Sequence, residues 1–240
     1  RMITPTKEKS TSIEPALYII PTPIGNIDDI TVRSLKLLRA ADVIFCEDTR
    51  TTGQLLKLYG IHAPRLVACH EHNEQSQVEA MIQQVQAGKI VALVSDAGTP
   101  LISDPGNRIV NGAIAGGVQV VALPGATAFV PALVGSGMES GEFIFMGFPP
   151  HKKGRQTFLT RAQSYGLTTI FYESPHRVMH LVEEIVEIWG ADTEVCVARE
   201  ITKLYEEFLR GTAGEIAQRM KERASLKGEI VVIVGKGGDR

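Results

Sequence analysis

The chain carries no excess of one charge, few cysteines and no long hydrophobic run, and each shortage removes a class of function. Its 25 Lys and Arg are balanced by 27 Asp and Glu, leaving a formal net charge of −2 over 240 residues. That balance excludes holding nucleic acid by overall charge, so any RNA contact must be local. No apolar run approaches the ~20 residues of a membrane span. Residues 1–14 lack the apolar centre of a secretory signal and are expected to be a disordered tail. Cys46, Cys69 and Cys196 are odd in number, widely spaced and set in or beside apolar runs. They fit buried free thiols in a reducing cytoplasm rather than a disulfide framework or a structural zinc site. A glycine-rich first turn is missing too. The first strand ends in Pro21-Thr22-Pro23-Ile24-Gly25-Asn26, and its prolines remove the N–H donors that would hold a pyrophosphate, which argues against a dinucleotide or Walker site. What that segment offers is a rigid, donor-poor rim suited to a cleft wall.

What the chain does have is rhythm. Short β-branched runs alternate with helical patterns from Leu17–Ile20 through Thr31–Arg39, Val43–Cys46, Thr51–Tyr59, Leu66–Cys69, Asn73–Gln86, Ile90–Val94, Gly106–Ala115 and Val118–Leu123. Such a βα repeat implies a mostly parallel sheet. Val78, Met81, Ile82 and Val85 recur at helical spacing, with Asn73 as a cap and Gly88 as the stop. From Phe143 the pattern reads strand, helix, strand, helix (Phe143–Phe148, Arg155–Gln163, Thr169–Tyr172, Pro175–Trp189). Runs at Val195–Arg199, Tyr205–Leu209 and Ile230–Val234 follow, with a helix at Thr212–Lys221. Thr212 and Glu215 have capping-box spacing, and Ser174–Pro175 reads as an N-cap with proline at the first helical position. The expected organisation is an N-terminal α/β domain over residues 15–123 and a C-terminal, mixed-sheet α/β domain over 124–240.

The most informative stretch is Leu93–Gly106, LVSDAGTPLISDPG. An apolar strand ends there in a loop holding Gly98 and Gly106, which permit positive φ, Pro100 and Pro105, which fix φ, and the carboxylates Asp96 and Asp104. A plain strand-to-helix connection needs far fewer residues. In open α/β sheets the carboxyl end of a strand is where ligands sit.

Several motifs together carry a resemblance: PTPIGNIDDIT, CEDTR (Cys46–Arg50), HEHNE (His70–Glu74), the loop just described, LPGATA (Leu123–Ala128), FYESPHR (Phe171–Arg177) and KGEIVVIV (Lys227–Val234). The chain resembles the tetrapyrrole methylase superfamily from about Leu17 to Val234. Within it, the motifs look most like the small-subunit ribosomal RNA methyltransferase I group, which methylates a ribose 2′-hydroxyl of a decoding-site cytidine using S-adenosylmethionine. The resemblance implies two α/β domains with the methyl donor in the cleft between them, a homodimer, and small-subunit ribosomal RNA or the assembled subunit as partner, with no membrane. LPGATA departs from the commoner LPGPSA or LPGPCA by adding the Thr127 hydroxyl. Members of this group often continue into a helical C-terminal extension, which is absent from this sequence, ending at Arg240.

By the same resemblance the donor lies against Ile24, Gly98, Thr99, Leu101, Ile102, Gly125, Thr127, Ala128, Phe171 and Tyr172, largely through backbone contacts. Acceptor-side candidates are Asp48, Arg50, His72, Glu74, Asp96 and Asp104, because the attacking hydroxyl must lose a proton. Asp96 is favoured as proton acceptor or orienting group, with Arg50 placing a phosphate. For Asp48, Glu74 and Asp104, helix capping or ion pairing is the alternative. His151-Lys152-Lys153-Gly154-Arg155 is the one compact basic cluster; Lys152, Lys153 and Arg155 read either as a phosphate clamp for RNA or as a solvated helix start. No metal is expected: His176 and His180 have zinc-pair spacing, but Arg177 stands where a metalloprotease has glutamate. Beside the RNA ribose methyltransferase, two other readings remain, a tetrapyrrole-type small-molecule methyltransferase and a non-catalytic module binding adenosylmethionine or RNA.

Overall fold

A computed structural model of the chain describes residues 12–70, 73–223 and 226–236. The tail expected over residues 1–14 lies largely outside them, as does His72. The chain divides into two units, one running through Thr22 and resuming over Ile30–Gly125, the other made of Pro23–Asp29 and the residues from Ala126 onward. Pro23–Asp29, read from sequence as part of the N-terminal domain, groups with the second unit.

The first unit is a doubly wound sheet. Its strands β1 (Leu17–Ile19), β2 (Val43–Cys46), β3 (Arg65–Ala68), β4 (Val91–Val94) and β5 (Val120–Ala122) lie in the order β3-β2-β4-β1-β5, and all four pairings are parallel. VIFC and VALV are buried at every position, as central parallel strands covered on both faces must be. Alternation of side chains along the strands then divides the core. Tyr18, Ile44, Cys46, Ala92 and Val94 pack with Leu37 and Leu38 of α1 (Val32–Ala40) and Leu56 of α2 (Thr49–Leu58). Leu17, Ile19, Phe45, Val91 and Leu93 pack with Met81 and Val85 of α3 (Glu74–Gln86) and Ile109 and Ala113 of α4 (Asn107–Ala115). The expected core face of α3 is therefore the observed one. Asn73 is its N-cap residue, but the Asn73 side chain turns back to the strand, accepting from the His70 N–H and donating to Ala68 O.

The second unit is the mixed sheet β6-β7-β10-β8-β9, built from β6 (Phe143–Gly147), β7 (Thr168–Glu173), β8 (Glu194–Arg199), β9 (Glu207–Thr212) and β10 (Ile230–Val234). Only β6 and β7 run parallel. One face is covered by α6 (Arg155–Ser164), α7 (Val178–Trp189) and α8 (Ala213–Lys221), whose Leu159, Leu181, Ile185 and Ile216 meet Phe171, Val197 and Val232. The other face is covered by α5 (Phe129–Ser136) through Ala132 and Leu133. α8 opens with the expected capping box: the Thr212 side chain accepts from the Glu215 N–H and the Glu215 carboxylate from the Thr212 N–H.

Three sequence expectations are corrected here. α5 has no counterpart in the pattern reading, because FVPALVGS is apolar all round and contains Pro131; in the first turn, where an N–H lacks a helical partner anyway, proline is tolerated. α7 begins at Val178, since Ser174–Pro175 opens a turn in which Ser174 O accepts from the N–H groups of Arg177 and Val178. β9 begins at Glu207 because Glu200 and Thr202, both at positive φ, make Leu204 and Tyr205 part of a turn.

Candidate active site

In the first unit the carboxyl ends of the adjacent central strands β1 and β4 are laced together. Thr22 and Gly98 form an isolated antiparallel bridge, and the Thr22 hydroxyl donates to Ser95 O at 3.2 Å. The loop that follows is unusually constrained. Gly98 has φ 80° and Gly106 φ 128°, but Leu101 (φ 75°) and Ser103 (φ 62°) are also left-handed without being glycine. Each such residue costs about 1–2 kcal/mol and persists where its surroundings impose it, a pattern concentrated at ligand sites. Thr99, Leu101 and Ile102 in this loop are half-buried. After β5, a Cβ placed on Gly125 would stand 2.5 Å from Pro21 Cβ. Gly125 is thus required by the packing of its own unit, before any ligand is considered.

Acidic side chains gather beside this loop. Asp96 is exposed, and its Oδ1 accepts from the Asp48 N–H at 3.2 Å. Asp48 is the N-cap of α2: its carboxylate takes the Arg50 N–H at 2.7 Å and pairs with the Arg50 guanidinium at 2.9 Å. Those bonds hold its pKa down to about 2. The capping alternative therefore describes Asp48, and Arg50, extending into solvent, is its ion-pair partner. Asp104 behaves in the opposite way. Burial first, then the charge of Glu47 and, more weakly, of Asp96, push its carboxyl up to about 6 against a hydrogen bond from Ser95. Glu47 is also raised, by burial and by Asp96. Glu47, Asp96 and Asp104 thus form a mutually repelling carboxylate trio at the ends of β2 and β4. Sequence reading gave Asp104 no preference over its neighbours and did not single out Glu47. The missed signal was an acid inside a proline-flanked, half-buried loop.

In the second unit Ile24, Ala128 and Tyr172 share one apolar cluster with Phe129 and Phe145, and the Phe129 N–H donates to the Tyr172 hydroxyl at 3.3 Å. Thr127 is half-buried just before α5. Phe171 is not among them. Strand alternation turns its side chain to the opposite face, fully buried in the core beside Phe158 and Trp189, and its backbone is paired in the sheet on both sides. That removes it from the donor set. Gly25 owes its lack of a side chain to close approach: a Cβ there would lie 2.5 Å from Lys203 Cγ.

The basic cluster divides. Lys152 and Lys153 are exposed, whereas Arg155 is 4% exposed and bound to Glu173 and Glu184. Arg155 is not available to a phosphate, which corrects its placement in the clamp.

The family model of the tetrapyrrole (corrin/porphyrin) methylases matches residues 16–237. A ribosomal RNA small subunit methyltransferase I of Mesorhizobium japonicum is 45% identical over 235 residues, covering 98% of this chain and 80% of that protein. The protein of the same name from Escherichia coli O157:H7 is 47% identical over 220 residues, 91% of this chain and 77% of the relative. Among solved structures, uroporphyrin-III-C-methyltransferase from Thermus thermophilus superposes with a TM-score of 0.63 at 18% identity, covering 92% of this chain and 94% of the other. A cobalt precorrin-4 methyltransferase gives the same score at 23% identity, covering 91% and 94%. At such identities these two structures speak to fold alone, and it is the same two-sheet α/β architecture. The chain belongs to the tetrapyrrole (corrin/porphyrin) methylase family.

Proposed function

We propose that this protein is an S-adenosylmethionine-dependent methyltransferase acting on small-subunit ribosomal RNA, at the 2′-hydroxyl of a cytidine in the decoding region. The choice of ribosomal RNA over a tetrapyrrole is supported by relatives that carry that name and align over nearly the whole chain. The chemistry is supported by the carboxylate trio beside the left-handed loop, and this observation carries the reading.

The trio fits the donor. Adenosylmethionine presents an ammonium and a sulfonium, and a nearby cation relieves the burial and like charge that raise Glu47 and Asp104. Gly98, Thr99, Leu101 and Ile102 would hold it, through a backbone already set at positive φ at Gly98 and Leu101. When bound, the donor supplies a methyl group made electrophilic by the sulfonium charge. The protein's own residues do the rest. Asp96, exposed and fixed by the Asp48 N–H, orients the ribose hydroxyl. Asp104, titrating near neutrality, takes up its proton. Lys152 and Lys153 meet the RNA backbone.

We further propose a homodimer in the cytoplasm. Val130 and Val134, one turn apart on α5, are 48% and 73% exposed, and three buried free thiols suit a reducing compartment.

The test is to incubate the protein with labelled methyl donor and either undermethylated small subunits or free RNA, then map the label by digestion. Label on a cytidine ribose is expected. Label on a base, or transfer only to a porphyrinoid, overturns the reading.

A further inference from the structure

The buried ions of the second unit lie beneath the basic loop and tie it down. Glu173, the last residue of β7, has a side chain with no exposed surface. It accepts three hydrogen bonds: from Arg155 Nη1 at 3.2 Å, Arg177 Nε at 2.9 Å and the Ser174 N–H at 2.7 Å. Both arginines then reach the segment that carries the lysines. Arg155 Nη1 also donates to Pro150 O at 3.1 Å, and its Nε donates to both oxygens of Glu184. Arg177 Nη1 donates to His151 Nδ1 at 3.2 Å. Pro150 and His151 are therefore held from one carboxylate. The segment closes at Gly154, whose φ of 81° caps α6.

Stability alone does not account for this arrangement. A buried ion cluster is generally no more stabilising than apolar side chains of the same size, whereas a guanidinium–carboxylate fork fixes direction. What it directs here is a pair of adjacent cations. His151, Lys152 and Lys153 are exposed, and among the described residues neither lysine has a carboxylate partner, although Lys203 and Lys221 both do. Two unneutralised cations on a backbone already fixed in place bind a phosphodiester with little ordering cost.

We propose that Glu173 is a positioning residue for RNA: through Arg155 and Arg177 it holds the His151–Gly154 loop in the one conformation that presents Lys152 and Lys153 to consecutive backbone phosphates. This rests on the reading of RNA as substrate. Glu173 itself touches no substrate and acts only through the loop.

The experiment measures binding of a single-stranded RNA oligonucleotide by anisotropy, donor affinity by calorimetry and Tm, for wild type, Glu173→Gln, Arg177→Gln, Lys152→Ala/Lys153→Ala and the combinations. Arg177 is partly exposed, so Arg177→Gln keeps the test alive if Glu173→Gln does not fold. Each single variant is expected to weaken RNA binding about five- to twentyfold while leaving donor affinity within about twofold. In the background lacking both lysines, Arg177→Gln or Glu173→Gln is expected to add less than about twofold, because the loop has nothing left to present. A role confined to stability lowers Tm and multiplies with the lysine changes. Fully multiplicative effects, or unchanged RNA affinity in folded Arg177→Gln, overturn the inference. Absence of RNA binding by the wild type overturns the reading of the substrate as well.

Discussion

Thr22 and Gly98 exchange two backbone hydrogen bonds, Thr22 N–H to Gly98 O at 2.9 Å and Gly98 N–H to Thr22 O at 3.0 Å. This bridge fixes the first residue of the left-handed loop against the end of β1, so the shape of the loop is set by the sheet.

Valine at Gly98 meets a φ of 80° that a β-branched residue does not adopt without strain. Gly98→Val is expected to weaken adenosylmethionine binding at least tenfold by calorimetry. Thr22→Val serves as the comparison, since it keeps the backbone bridge and deletes only the hydroxyl bond to Ser95 O. Its expected cost is about 1 kcal/mol of stability with donor affinity retained. Unchanged donor affinity in Gly98→Val removes the loop from the donor site.

Asp104 gives a pH signature. Its folded pKa of about 6 lies above the ordinary carboxyl value of 3.8, so between those values the folded state binds more protons than the unfolded state. Stability from this group is therefore present below about pH 4 and is lost as pH rises through 6. Asp104→Asn is expected to flatten that window and to raise stability at pH 8 by ~1 kcal/mol, after discounting for its partial exposure. Turnover in the wild type should rise through the same pH range. The asparagine variant should lose that rise. Chemical denaturation at a series of pH values checks the first outcome, and a pH–rate profile the second.

Asp96 should separate from Asp104. Asparagine at 96 keeps an oxygen able to accept the Asp48 N–H but no longer carries a charge to orient the hydroxyl. Donor affinity within a few fold and turnover lowered by about 10²–10⁴ are expected. Full turnover in Asp96→Asn excludes it from the mechanism.

The two-sheet plan was legible because its signals are local: VIFC, VALV and IVVIV are buried throughout as their composition dictates, and the Thr212–Glu215 box forms where its spacing lies. Local signals stop at the direction a side chain takes once packed. Arg155 reads as part of a basic run, and only the positions of Glu173 and Glu184, brought close by β7 and α7, turn it inward. Phe171 and Tyr172 are neighbours in one motif, yet strand alternation sends the first into the core beneath α6 and α7 and the second towards α5. Asp48 and Asp104 look alike as loop acids. The Arg50 side chain and the helix N-terminus that Asp48 caps lower one, a local effect, while burial and then Glu47, brought near from the end of β2, raise the other, and that second environment is not a property of the few residues around Asp104.

Sedimentation at micromolar concentration is expected to report twice the 26.1 kDa chain mass. Val134→Glu places a charge on the exposed apolar face of α5, and with a second copy packed there it should yield the monomer at the same concentration. A wild-type monomer rejects the dimer; an unchanged dimer in Val134→Glu moves the interface elsewhere.

The basic cluster supplies the sharpest contrast, because residues three apart in sequence should fail in different ways. Lys152→Ala/Lys153→Ala removes two exposed cations, so RNA binding should weaken and the slope of log affinity against log salt should fall in magnitude by about 1.4, two single-strand phosphate contacts' worth. Thermal stability and donor binding should stay as they were. Arg155→Ala leaves Glu173, with no exposed side-chain surface, with Arg177 as its one remaining cation beside the Ser174 N–H, and it strips Glu184 of its guanidinium partner. Breaking a buried pair from one side costs about 3–5 kcal/mol. Arg155→Ala should therefore appear first as a large fall in Tm and only secondarily in RNA affinity. A triple change at Lys152, Lys153 and Arg155 would blend the two effects. If Arg155→Ala keeps its Tm and instead lowers the salt slope by a further ~0.7, the guanidinium reaches RNA after all and its burial against Glu173 is not what holds it in solution.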